Sequence, residues 1–413
     1  MYIDREKLVE KINSAVSGSP VTILIGARQV GKTTLLKNLD HLKPSVYFIG
    51  QDPEVAAIFQ KLSTAESFLK KNLNSELNGF LLLDEFQFID NISTILKLLT
   101  DSNPGLRVIC SGSSSLDIIQ KVEESLAGRV RIIDTYSLSF AEYLKFQNEE
   151  LYNLYLKYDV DTLDEVVDPQ IKLLFNEYLV YGGMPKAALN HNPTEKIQIL
   201  DDIYKTYLLR DVRSYVRNED SVGFNKLLIL LASQIGNMIN VNELANSSGL
   251  NYRKCEEYIY LLEQMFIIKL VEPYFTNKRK VITKMKKVYF TEIGLRNVIL
   301  GNFNPIDNRI DNGSLFENLV FLELIRILPS YTKIYFYRTK DGSEIDFVID
   351  DMKNKYAVET KFKVLHRSVS LKSFKGFGEI ENVSKTFLIN RNFNSDNETK
   401  LMQGYLTDKI MFD

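Results

Sequence analysis

The sequence predicts an α/β protein of several domains: a parallel sheet at the N-terminal end, a helical region leading into a helix-turn-helix and hairpin, and a second α/β domain at the C-terminal end. Three observations carry this. Short β-rich apolar runs alternate with helix-forming stretches over the first 145 residues, as in Val21 to Ile25, Ser45 to Ile49, Phe80 to Leu83 and Leu106 to Cys110. Continuous apolar runs of this kind suit strands buried on both faces. The middle of the chain has a helical pattern up to Met265, and strand-like runs return from Lys333. At about 150 residues per domain, a chain of 413 residues holds two to four domains, with expected boundaries at 1–145, 146–220, 221–300 and 301–413.

Composition narrows the function classes. With 45% hydrophobic residues, 25% charged, 20 Gly and 10 Pro, low-complexity, collagen-like and fully disordered chains are excluded. The 51 basic residues nearly balance the 53 acidic ones, so any polyanionic partner must be met by a local patch. Two cysteines without a CxxC, Cys110 and Cys255, and three scattered histidines, His41, His191 and His366, leave no disulfide framework and no zinc site of the usual spacing. The polar start Met1 to Lys7 has no signal-peptide core, and no apolar run approaches the roughly 20 residues of a membrane span. A cytoplasmic protein without a membrane partner is the expectation.

The first strand sets the first site. Val21 to Ile25 runs into Gly26-Ala27-Arg28-Gln29-Val30-Gly31-Lys32-Thr33-Thr34, and Leu35 to Leu39 can continue as a helix. This is strand, GxxxxGKT, helix. The glycines let the backbone curl so that successive N–H groups and a helix N-terminus face phosphate oxygens. Lys32 is placed to reach the β and γ phosphates of ATP, and the Thr33 hydroxyl to bind Mg²⁺.

Hydrolysis also needs an acid at the end of a neighbouring buried strand, and Phe80-Leu81-Leu82-Leu83-Asp84-Glu85 supplies two. Asp84 is expected to hold the magnesium through water and Glu85 to polarise the attacking water. The next strand ends in Ser111-Gly112-Ser113-Ser114-Ser115. Ser111 and Ser113 are candidates to touch the γ-phosphate or the water, because ligands of open parallel sheets sit beyond the carboxyl ends of the strands. A helix N-cap is the plain alternative.

Gly26 to Thr33, Asp84-Glu85-Phe86-Gln87, Ser111 to Ser115 and Ser125-Leu126-Ala127-Gly128-Arg129 together resemble a large prokaryotic family of AAA-type ATPases. Its members carry a C-terminal domain of unknown function similar to PD-(D/E)xK nucleases. The resemblance implies a Mg²⁺-dependent ATPase, and self-association of the kind AAA-type relatives often show. It makes Arg129 a candidate γ-phosphate sensor or arginine finger, in cis or in trans, with a surface ion pair as the alternative. It also places a Leu138-Ser139-Phe140-Ala141-Glu142-Tyr143 segment after that arginine, and a Gly-Gly-x-Pro element at Gly182 to Pro185 whose role it does not supply.

Phe146 to Gln170 is acidic and reads as a solvated face or linker. From Gly223 three helical stretches follow, the last two joined through Ser247-Ser248-Gly249, and then two β-rich runs around Asn277 to Lys280. That order reads as a winged helix. Lys278, Arg279, Lys280, Lys284, Lys286 and Lys287 form a basic wing without an acid, a candidate contact for DNA or RNA phosphates. Glu256 and Glu257 on the recognition helix argue against strong major-groove reading.

The C-terminal part carries the second site. Leu315 to Leu324 is an apolar helix containing Glu317, Ser343 to Ile349 a strand containing Asp346, and Tyr356 to Lys361 a strand with Glu359-Thr360-Lys361. An acid on one strand and E-x-K on the next is the PD-(D/E)xK spacing, and a period of two puts Glu359 and Lys361 on one face. Asp346, Glu359 and Glu317 are the expected Mg²⁺ ligands, with Lys361 near the scissile phosphate or the water. Together these features predict an ATPase acting on nucleic acid. The alternative is a nucleotide-dependent interaction switch whose nuclease-like domain does not cut.

Overall fold

The strand Val21–Gly26 (β1) is buried at every position, as an apolar strand between two helical layers must be. Around it the computed structural model forms a five-stranded parallel sheet in the order β2-β3-β4-β1-β5. The other strands are Ser45–Ile49 (β2), Gly79–Asp84 (β3), Leu106–Ser113 (β4) and Val130–Asp134 (β5). The central strands are the more buried ones, and the edge strands β2 and β5 are half exposed. The period of two divides the core. Ile23, Ile25, Leu81, Leu83, Val108 and Cys110 pack on one face, with Ile95, Leu96 and Leu99 of the helix Ile92–Ser102. Leu24, Leu82 and Ile109 pack on the other, with Leu8, Ile12 and Val16 of the helix Glu6–Gly18.

The structure describes residues 4–113, 126–157, 168–275, 285–340, 342–365, 371–392, 395–396 and 399–412. Contacts divide the chain into two units, Met1–Ser137 with Gln264–Phe266, and Leu138–Glu263 with Ile267–Asp413. The segments expected as connector, winged helix and C-terminal domain therefore share one unit apart from Gln264–Phe266, and the N-terminal stretch of the first unit ends at Ser137. Among the described residues no helix is long and apolar enough to cross a membrane.

The second unit begins with the Leu138-Ser139-Phe140 segment, whose helix Phe140–Gln147 opens on a capping box between Ser139 and Glu142. Beside it lies the Gly-Gly-x-Pro element. Gly182 has φ +73°, and a Cβ there would meet Glu292 Oε1 at 1.8 Å. The Gly183 N–H donates to that same oxygen at 3.0 Å, and its carbonyl accepts from Leu138 N at 2.9 Å. Gly182 thus makes room for a buried carboxylate and Gly183 for the Leu138 backbone, whose carbonyl oxygen a Cβ there would meet at 2.3 Å.

The helices Ser221–Ser233, Val241–Ser248 and Tyr252–Gln264 appear in the expected order. They lead to the antiparallel pair Ile268–Pro273 (β6) and Lys287–Phe290 (β7), shorter than the runs read from sequence. Residues 276–284, the tip of the expected wing, lie outside the described residues. β6 also pairs in parallel with Lys333–Arg338 (β8) through Glu272 and Pro273. The hairpin is therefore the edge of an eight-stranded mixed sheet, ordered β12-β13-β11-β10-β9-β8-β6-β7. Its remaining strands are Glu344–Asp350 (β9), Lys355–Lys361 (β10), Lys385–Asn390 (β11), Ser395–Asp396 (β12) and Thr399–Gln403 (β13). The helix Lys372–Gly378 precedes β11, which runs parallel to β10. The helix Asn312–Ile327, buried along most of its length, packs against β10.

Candidate functional site

The phosphate loop is positioned from beneath by β1. A Cβ at Gly26 would lie 2.0 Å from the Thr135 carbonyl oxygen, so only glycine fits where the chain leaves β1. Gln29 (φ +63°) and Gly31 (φ +97°) adopt left-handed conformations that curl the loop into the helix Lys32–Lys37. Val30 is buried, Ala27, Arg28 and Thr33 are half-buried, and Gln29 and Thr34 are exposed.

Lys32 is buried at 6% exposure, and its ammonium donates to the carbonyls of Gly26 at 2.9 Å and Ala27 at 2.7 Å. Burial pulls its pKa down to about 8, against the opposing pull of Glu85 and Asp84 and with a further push from Arg28. Arg5, unremarked in the sequence, ties the loop to its surroundings. Its guanidinium donates to the carbonyls of Val30 at 3.2 Å, Tyr136 at 3.1 Å and Ser137 at 3.2 Å.

Asp84 ends β3 and is 2% exposed. Its carboxylate accepts from the Ser111 hydroxyl, from Tyr47 at 3.0 Å and from the Glu85 N–H at 3.1 Å. Ser111 is thus a buried support of Asp84. Ser111 spends its one hydroxyl proton on Asp84, and the Tyr47 hydroxyl, held protonated by burial and by Asp84, adds a second donor.

Glu85 sits at φ +50°, a left-handed conformation that a non-glycine residue adopts at a cost. Its carboxylate accepts from Gln87 Nε2 at 2.5 Å, and the same amide nitrogen lies 3.1 Å from the Ser113 hydroxyl. Ser113 stands opposite Gly26 in the β1–β4 register. Lys32, Asp84, Glu85, Gln87 and Ser113 therefore gather at the carboxyl end of the sheet.

Arg129 does not join them. Its carbonyl accepts from Val21 N at 3.1 Å, at the opposite end of β1, a distance of about 17 Å along a six-residue strand. Its guanidinium instead pairs with Asp101 at 2.7 Å, both side chains well exposed. The expected role of Arg129 in cis is corrected: the strand direction carries it away from the loop of its own chain. Ser114, Ser115 and Ser125 lie outside the described residues.

The donor set suits Mg²⁺-nucleotide. Thr33 offers a hydroxyl, Asp84 a carboxylate with lone pairs to spare for bound water, and the glycine-lined loop a backbone cradle for phosphate.

The C-terminal carboxylates meet a different partner. Asp346 and Glu359 are buried, and Glu317 is nearly so. Asp346 accepts from the Thr360 N–H and hydroxyl at 2.8 Å each, and Glu359 pairs with Lys361 at 2.5 Å. Burial and the charge of Asp346 lift both Glu317 and Glu359 to a pKa of about 7. Lys287, expected on the solvated wing, is only 2% exposed. Its ammonium lies 3.0 Å from Glu317, 2.6 Å from Glu344 and 3.7 Å from Asp346. Lys286 pairs with Glu272 at 3.0 Å.

No group of three or more His, Cys, Asp or Glu able to hold a metal ion is found among the described residues. Of the expected metal set Glu317, Asp346 and Glu359, the first two have the Lys287 ammonium beside them, and Glu359 has Lys361. Sequence pattern hid this because Lys287 reads as one more charge in a basic run, although it opens the wholly buried tetrapeptide Lys-Val-Tyr-Phe.

Comparison with known proteins agrees with the first site. Residues 18–144 match a family model described as an AAA domain. Residues 172–305 and 312–402 match models described as domains of unknown function, DUF8612 and DUF4143. An uncharacterized protein of Mycobacterium tuberculosis is 24% identical over 369 residues, spanning 87% of this chain and 74% of the relative. One of Methanocaldococcus jannaschii is 29% identical over 336 residues, spanning 80% and 72%. Among solved structures, a Walker-type ATPase of Pyrococcus abyssi superposes with a TM-score of 0.49 at 14% identity, over 72% of this chain and 96% of that one. The strand, glycine-lined loop and helix at residues 21–37 thus lie within the stretch that matches an AAA domain.

Proposed function

We propose that this chain hydrolyses ATP with Mg²⁺ at the phosphate loop and uses the nucleotide cycle to control nucleic-acid binding by its second unit. The observation that carries the hydrolytic half is the chain Glu85–Gln87–Ser113. A carboxylate is held in a left-handed turn next to the metal-binding acid, and a single amide links it to the strand end opposite Gly26. In this scheme the loop N–H groups and Lys32 hold the phosphates, trading the Gly26 and Ala27 carbonyls for phosphate oxygens. Thr33 would hold Mg²⁺ directly and Asp84 through water, and the ion would supply charge neutralisation at the nucleotide phosphates. Glu85 accepts the proton of the attacking water, and Gln87 fixes the carboxylate oxygen that does so.

Lys32→Ala and Glu85→Gln are expected to abolish ATP turnover, measured as phosphate release. Unchanged turnover in both variants would overturn the assignment. For the second half, the expectation is DNA or RNA binding through Lys278, Arg279, Lys280 and Lys284 that weakens steeply with salt. Absent or salt-insensitive binding in a fluorescence-anisotropy titration removes it.

A second reading, a nucleotide-dependent switch whose C-terminal module binds without cutting, is favoured by the position of Lys287 among the carboxylates. Cleavage of single-stranded, duplex or branched nucleic acid that disappears in Asp346→Ala and Lys361→Ala would reject it.

A further inference from the structure

We infer that the Lys287 ammonium is the resident cation of the Glu317–Glu344–Asp346 cluster, so that this cluster takes no divalent metal, and that replacing Lys287 by a small neutral residue converts it into a divalent-cation site. The inference concerns the second unit alone and stands or falls independently of ATP hydrolysis.

Three observations support it. The first is position. The amino group lies 3.0, 2.6 and 3.7 Å from oxygens of three carboxylates contributed by the helix Asn312–Ile327 and by β9. Buried carboxylates need a positive partner, and this ammonium lies within hydrogen-bond distance of Glu317 and Glu344 and adds its charge to Asp346 at ion-pair distance. A metal ion would have to occupy the same point at shorter range, about 2.0 to 2.6 Å from each oxygen, and the amino group already fills it.

The second is enclosure. The Lys287 side chain is 3% exposed, and its ammonium lies 5.6 Å from the centre of the Phe336 ring. The β6–β7 ladder and a bridge to Met238 fix its backbone. The lysine cannot swing into solvent without opening the sheet edge. The third is the surrounding set of contacts. The Tyr289 hydroxyl donates to Glu317 at 2.6 Å, Arg338 approaches Glu344 at 3.4 Å, Thr360 donates twice to Asp346, and Lys361 pairs with Glu359. Glu317, Glu344 and Asp346 thus each have a donor from the chain itself, while Oε2 of the neighbouring Glu359 is buried without one.

The test counts ions on the full chain without nucleotide, so that the phosphate loop contributes no metal. Mn²⁺ binding is measured by the loss of its free electron-paramagnetic-resonance signal. The wild-type chain is expected to take up no Mn²⁺ that depends on Asp346. Lys287→Ala is expected to gain one Mn²⁺ per chain, at least about tenfold tighter than any wild-type binding, and to lose it again when combined with Asp346→Asn. Wild-type binding of one Mn²⁺ that vanishes in Asp346→Asn overturns the inference, as does a folded Lys287→Ala that gains none. Should Lys287→Ala fail to fold, Lys287→Met keeps the apolar stem while removing the charge, and the wild-type measurement is decisive in either direction.

Discussion

At the residue scale, Lys32 ties a charge to a pH. Its pKa of about 8 reflects burial beside Arg28, opposed by Glu85 and Asp84. A phosphate partner favours the charged form, so above pH 8 nucleotide binding must first return a proton to the lysine. Affinity for a fluorescent ATP analogue should be flat from pH 6.5 to 7.5 and fall by up to about tenfold per pH unit above 8. A flat profile to pH 9.5 would show that the lysine carries no such shift. Gln87 makes the second residue-scale prediction. Gln87→Leu removes the donor that holds Glu85 while leaving the phosphate loop untouched. It should lower kcat by about 10- to 100-fold, in the range of lost general-base positioning, with KM for ATP within about twofold of wild type. An equal loss in nucleotide affinity would mean that Gln87 acts through the fold. The phosphate loop and the Asp84-Glu85 pair were legible because glycine spacing and a buried strand end are local patterns. The contacts of Tyr47 with Asp84, of Gln87 with Ser113 and of Arg5 with Tyr136 were not, because each crosses strands or loops that only the sheet order brings together.

At the element scale, the helix Asn312–Ile327 bears a buried ion pair. Glu323 Oε1 accepts from Arg326 at 2.8 Å and from the Phe140 N–H at 3.0 Å. Burial lifts its pKa to about 7, with Arg326 and the Phe140 N–H opposing and Asp408 and Glu142 adding to the rise. The folded chain therefore binds this proton more tightly than the unfolded chain, whose carboxyl titrates near 4.5. Stability from this group is greatest below pH 4.5 and is lost as pH rises toward 7. Glu323→Gln should remove that slope, so that the wild type loses ground to the variant between pH 5 and 7 in thermal melts. A constant difference would place the titration elsewhere. The hairpin shows what sequence pattern could not resolve. Alternating β-rich runs announced two strands, but not that Glu272 and Pro273 would pair with β8 and make the hairpin a sheet edge. Strand partners far apart in sequence leave no local trace.

At the scale of the whole molecule, the N-terminal stretch of the first unit runs to Ser137, and a P-loop domain was expected over residues 1–145. The three segments expected beyond it fall mostly within the second unit. Helix period and strand alternation change along the chain at residues 220 and 300, and such changes look like boundaries. The eight-stranded sheet runs through the second of them, and residues as distant as Leu138, Gly183 and Glu292 share hydrogen bonds. The Gly-Gly pair illustrates the difficulty. Its glycines signal a turn in sequence, while the reason for Gly182 is a glutamate more than 100 residues away and that for Gly183 is the Leu138 backbone.

The position of Arg129 at the far end of β1 also has a kinetic meaning. A chain that used only its own groups would hydrolyse ATP at a rate strictly first order in protein. If an arginine is delivered to the phosphates from this position, it must come from another copy, and specific activity would then rise with protein concentration and fall in Arg129→Ala. Diluting the protein over two decades while recording turnover per chain distinguishes the two rate laws.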